Sequence, residues 1–63
     1  MSVGENVKNQ RLALNMTQTE LAKKVGVNQS MIAQIERGTK GLSIPLGKAI
    51  ADVFGIPLEK LVQ

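Results

Sequence analysis

The chain has 63 residues, 43% of them hydrophobic, with eight basic and five acidic side chains, which describes one domain near the lower size limit for a self-supporting core. Cysteine, histidine and tyrosine are absent, so disulfides, thiolate or imidazole metal sites and the usual catalytic nucleophiles and bases are excluded, and neither an enzyme nor a cofactor is expected. No apolar run approaches the roughly 20 residues that span a bilayer, and MSVGENVKNQ lacks the basic-then-apolar order of a secretory signal, so a location in the bacterial cytoplasm or nucleoid, away from membranes, is expected.

Ser2 followed by Glu5 has the spacing of a capping box and opens a helix over about residues 3–14, which Asn15 ends. Its apolar stripe runs through Val3, Val7 and Leu14. Arg11 falls on the same face, where burial demands a partner. Thr17 and Glu20 repeat the capping box and start a short second helix, with Leu21, Ala22 and Val25 inward and Gly26 as the stop. Asn28 caps a third helix whose inward residues are Ile32 and Ile35, and Gly38 ends it.

Thr39 to Leu42 reads as a loop. Ser43 caps a fourth helix of about residues 44–54, with Pro45 in its first turn. Ile44, Ile50, Ala51 and Phe54 face inward. Gly47, also inward-leaning, costs about 1 kcal/mol in helix propensity and leaves room for a neighbour. Gly55 closes this helix, and Pro57 opens a last turn carrying Leu58, Leu61 and Val62. Sustained alternation is missing, so strands are not expected. The expected fold is all-α: a compact five-helix bundle forming a single domain over residues 1–63.

The informative stretch is Gln18 to Arg37, QTELAKKVGVNQSMIAQIER. Two short helices joined at Val25-Gly26-Val27 must cross steeply. Ala22 is small where they approach, Gly26 can adopt the positive φ of a tight turn, and Leu21, Val25, Val27, Ile32 and Ile35 supply one apolar seam. If that seam faces inward, the third helix presents Asn28, Gln29, Ser30, Ala33, Gln34 and Arg37 outward. Glutamine suits base reading because its amide both donates and accepts, as adenine N7 and N6 require. On an isolated helix the same residues would read as merely solvated. Charge is asymmetric: residues 1–42 hold six cations against three acids, residues 43–63 two against two. Such a bias fits a polyanionic partner or an ordinary solvated basic surface.

TQTELAKKVGVNQSMIAQIERG, followed by AIADVFGIPLEKL, resembles the helix-turn-helix of the lambdoid phage repressor and Cro family, over about Val7 to Val62. The resemblance implies sequence-specific binding of double-stranded DNA, with the third helix in the major groove, by a transcriptional regulator of repressor type. Gln29, Ser30 and Gln34 then fall on base-contacting positions, with Ala33 small enough for a close approach or a thymine methyl. Thr17, Gln18, Asn28, Arg37 and Lys40 match positions that touch phosphates or support such contacts, Gln18 standing at a helix start where free amides favour an anion. Arg11 and Glu36 match an ion pair beneath the recognition helix, the other possibility being Arg11 on a phosphate.

Leu42, Leu46, Pro57 and Leu58 mark a candidate patch for a homodimer on a palindromic operator, or else ordinary surface leucines. Lys23 and Lys24 lie on the outer face of the second helix and read as solvated. The loop Thr39-Lys40-Gly41-Leu42 lacks the minor-groove arginine of some relatives, so reading of narrow A·T tracts is not expected. Helix-turn-helix modules also bind proteins, in antitoxins and coactivators, and that is the alternative function.

Overall fold

The computed structural model describes residues 2–63; Met1, the first residue of the expected domain 1–63, lies outside the described residues. Among these run five α-helices and no strand: α1 (Val3–Ala13), α2 (Gln18–Val25), α3 (Gln29–Arg37), α4 (Ile44–Phe54) and α5 (Leu58–Leu61). No helix among the described residues is long and apolar enough to cross a membrane.

Caps set the helix starts. The Ser2 hydroxyl accepts from the Glu5 amide and the Glu5 carboxylate accepts from the Ser2 amide, both at 3.1 Å. Thr17 and Glu20 do the same at 3.0 and 2.8 Å. These bonds satisfy first-turn amides that have no partner within the helix. They also favour the ionised form and hold both glutamates below the ordinary carboxylate range. Asn28 and Ser43 cap α3 and α4 by accepting from the Met31 and Leu46 amides.

The turn between α2 and α3 depends on Gly26. Its φ is +79°, a region where a Cβ would be strained. The Gly26 and Val27 amides both donate to the Ala22 carbonyl, at 2.9 and 3.0 Å, which closes α2 and reverses the chain. Asn15 takes φ +55° after α1, a conformation asparagine tolerates better than most residues.

Val7, Leu21, Ala22, Ile32, Ile35, Ile50, Ala51, Phe54 and Leu61 form the buried core, to which every helix contributes. α3 packs on α1 and α2, while α4 packs on α2 and α5. Two residues expected inward lie outside: Leu14 and Ile44 are 48% and 67% exposed. Both stand at helix ends, where the apolar stripe runs past the packed neighbours. Leu14 follows the last residue of α1, and Ile44 is the first of α4.

Gly4, not Leu14, completes the buried face of α1 with Val7 and Arg11. A Cβ on Gly4 would run into the Ile35 carbonyl oxygen and lie 2.7 Å from that of Glu36. The absence of a side chain thus sets how closely α1 meets the C-terminal half of α3. Gly47 plays the expected spacing role on α4, because a Cβ there would lie 3.2 Å from Leu58 Cδ1 and 3.4 Å from Leu42 Cδ2. Asn6 adds a polar tie by donating from Nδ2 to the carbonyls of Leu61 and Gln63, both at 3.0 Å, which joins α1 to the turn after α5.

Candidate nucleic-acid interface

Burying Ile32 and Ile35 on one side of α3 turns the opposite side outward. Gln29, Ser30 and Arg37 are exposed there, with Ala33 and Gln34 partly exposed. After Gly38 the chain folds back on α3: the Thr39 and Lys40 amides donate to the Gln34 carbonyl at 3.0 and 3.3 Å, and the Thr39 hydroxyl donates to it at 3.2 Å. This return holds Lys40, also exposed, near the C-terminal end of α3 beside Arg37.

The face carries no acid because the single acid of α3 is turned inward. Glu36 receives Arg11 through both of its oxygens, Nε to Oε2 at 2.7 Å and Nη2 to Oε1 at 3.0 Å. The two side chains are 8% and 4% exposed. Two parallel charge-assisted bonds of this kind are stronger and more directional than a single contact. Arg11 Nη1 also donates to the Met16 carbonyl at 2.7 Å, so the same guanidinium holds the loop between α1 and α2. Hydrogen bonding to Glu36 raises the arginine pKa, with burial opposing it. The fork is therefore spent on Glu36 and Met16, and only 7% of the residue is exposed.

Gln18 links this buried pair to the surface. Its Nε2 donates to Glu36 Oε1 at 3.0 Å, and its Oε1 accepts from Gln29 Nε2 at 2.7 Å. A chain of side chains thus runs Arg11, Glu36, Gln18, Gln29, from the interior to the first residue of α3. The Gln18 side chain spends its Oε1 and one Nε2 hydrogen on these partners and keeps the other hydrogen. α2 also offers an anion the backbone amide of Gln18, which has no partner within the helix. Asn28 gives its Oδ1 to the cap and keeps its Nδ2 hydrogens, while Thr17 keeps its hydroxyl hydrogen. Thr17, Gln18, Thr19 and Gln29 line one shallow groove with Leu12 and Asn15. The starts of α2 and α3 therefore open on a common concavity.

Of the residues singled out in the sequence, Gln29, Ser30, Ala33 and Gln34 share the outer face of α3. Thr17, Gln18 and Asn28 lie at its N-terminal side, with Arg37 and Lys40 at the other end. Leu42, Leu46 and Leu58 are half-buried and Pro57 is exposed, and the side chains of Leu42 and Leu58 both lie close to Gly47. Lys23 and Lys24 stand on the exposed side of α2. The linking role of Gln18 was not foreseen. The sequence held one signal for it, an amide at the first position of α2 that can both donate and accept.

Residues 7–61 match the helix-turn-helix family. An HTH-type transcriptional regulator of Archaeoglobus fulgidus is 42% identical over 55 residues, covering 87% of this chain and 78% of that protein. The immunity repressor protein of Bacillus phage phi105 is 34% identical over 62 residues, covering 98% of this chain but only 43% of that longer protein. Among solved structures, the P22 c2 repressor bound to a synthetic operator superposes with a TM-score of 0.94 at 25% identity, over 100% of this chain and 96% of that one. The biofilm regulator SinR in complex with DNA superposes with a TM-score of 0.88 at 28% identity, over 94% and 95% of the two chains.

Proposed function

This chain belongs to the helix-turn-helix family of DNA-binding transcriptional regulators, and from that premise we propose that it acts as a repressor, binding a palindromic operator as a homodimer. The observation that carries the proposal is the outer face of α3. It presents amides, a hydroxyl and a methyl group on a helix free of outward acid, because Glu36 points into the protein. A helix of this kind fits the major groove of B-DNA, which is about 12 Å wide.

In this reading Gln29, Ser30 and Gln34 contact base edges, and Ala33 lets α3 sit close. Thr17, Asn28, Arg37, Lys40 and the backbone amide of Gln18 hold phosphates on either side, fixing register and affinity. Arg11 and Glu36 are structural. Leu42, Leu46, Pro57 and Leu58 form the two-fold contact, and residues 1–63 work as one unit with the helix-turn-helix at 18–37. Support comes from the solved P22 c2 repressor and SinR complexes, whose backbones superpose on this chain with DNA present. The site of action is the cytoplasm or nucleoid, where such DNA lies.

Titration of duplex DNA at several salt concentrations tests this. DNA binding through phosphates gives log–log slopes of about −0.9 for each phosphate neutralised. Salt-insensitive binding, or none at low salt, would leave a protein partner as the better reading.

A further inference from the structure

The start of α1, the end of α3 and the loop leading to α4 enclose a groove of about 260 Å³. Its wall is mostly apolar: Ile35 is buried, Val3 and Leu42 are half-buried, and Val62 is 47% exposed. Gly38 and Gly41 leave room there, since a Cβ on either would meet nothing within 4 Å. Lys40 is the one charged residue on this wall, and among the described residues no carboxylate pairs with it. Glu5, the acid nearest in sequence to the groove's Ser2, is bound to the Ser2 amide and does not line the groove. The Lys40 amide donates to the Gln34 carbonyl at 3.3 Å. That bond fixes the root of a long, flexible side chain whose ammonium is left without an anion.

We infer that this groove binds a small apolar monocarboxylate, with its hydrocarbon against Val3, Ile35, Leu42 and Val62 and its carboxylate on the Lys40 ammonium. Charge and surface select that class. One cation without an opposing acid calls for one anionic head, and the rest of the wall repays the burial of apolar surface. The volume lies just below the ~300–1,000 Å³ common to ligand pockets, so the occupant is small. In the proposed complex with DNA, Lys40 holds a phosphate, and it cannot serve both anions. The carboxylate and DNA then weaken each other's binding by the same factor. That consequence, though not the groove's own affinity, rests on the proposed function.

The test is titration of the full 63-residue protein with butyrate, hexanoate and octanoate, followed by the NMR shifts of its backbone amides. Saturable shifts centred on Val3, Gly41, Leu42 and Val62 are expected, with affinity rising about fourfold for each methylene buried. Lys40→Gln should weaken octanoate about two- to fivefold, the contribution of an exposed ion pair, while Lys40→Arg retains it. Val62→Ser, at an exposed position, should weaken octanoate by a larger factor than butyrate. Shifts spread over the surface or centred on the exposed Leu12 and Leu14, or an affinity indifferent to both Lys40→Gln and Val62→Ser, would overturn the inference. Affinity for a duplex at low salt is then measured with and without saturating octanoate. A loss in the parent that Lys40→Gln does not show supports the competition. Binding in the groove with duplex affinity unchanged would uphold the site and remove Lys40 from the phosphate contacts.

Discussion

Arg11 on α1 and Glu36 on α3 meet through two hydrogen bonds of 2.7 and 3.0 Å, directly beneath the face that α3 turns outward. One pair therefore does two things. It fixes how α1 meets α3, and it hides the one carboxylate that would repel DNA from the recognition helix.

Removing one partner from a buried pair leaves the other charge without compensation, at about 3–5 kcal/mol. Glu36→Ala is expected to lose at least ~3 kcal/mol in denaturant unfolding, because the Arg11 left behind is only 7% exposed. A loss below about 1 kcal/mol would mean that the pair behaves as an exposed one.

Two glycines inside helices predict opposite outcomes for the same substitution. At Gly4 the new Cβ meets backbone oxygens of α3, which cannot step aside, so Gly4→Ala is expected to destabilise by about 1–3 kcal/mol despite its better helix propensity. At Gly47 the neighbours are the flexible ends of Leu58 and Leu42. Gly47→Ala is therefore expected to be neutral or to stabilise by up to about 1 kcal/mol. Thermal melts of the two variants decide the matter by sign.

Acid should act through the capping boxes. The folded-state pKa values of Glu5 and Glu20 are lowered by their hydrogen bonds to Ser2 and Thr17. Stability from these groups is present above the unfolded glutamate value of about 4.3 and is lost as pH falls through the lowered folded values. Glutamine retains the accepting oxygen of the box but does not titrate. The double variant Glu5→Gln, Glu20→Gln is expected to show a flatter fall in melting temperature below about pH 4.3 than the parent.

The dimer proposal places Leu58 at the two-fold contact. Leu58→Gln is expected to leave a folded protomer, since the side chain is only half-buried. It should weaken binding to a palindromic duplex while leaving affinity for a single half-site nearly unchanged. Equal losses on both duplexes would place Leu58 in the protomer alone.

Much of this was legible in the sequence, and the reasons are local. Capping boxes, αL glycines and the seam from Leu21 to Ile35 act over a few residues, so they announced helix starts, stops and the crossing of α2 with α3. The outward face of α3 followed from that seam by geometry. Long-range packing was harder. Nothing near Gly4 says that an α3 carbonyl lies over it, although glycine inside a helix hints at close approach. Asn6 meets the carbonyls of Leu61 and Gln63 only once the chain has closed on itself. Helical periodicity placed Leu14 and Ile44 inward although they lie at helix ends, because it does not register where the neighbouring element stops. The Arg11–Glu36 pairing came from the family likeness, whereas the extension to Gln18 and Gln29 required side-chain positions.

The central claim is that α3 reads bases through Gln29. Selection from random duplexes with the parent, followed by affinity measurements for Gln29→Ala on the enriched site, tests it most directly. The expected result is a palindrome with half-sites about 10–10.5 base pairs apart, centre to centre, and a loss of ~1–3 kcal/mol confined to one base step per half-site. Salt-sensitive binding without enrichment, or a Gln29→Ala variant that selects the same sequence with the same discrimination, would contradict it.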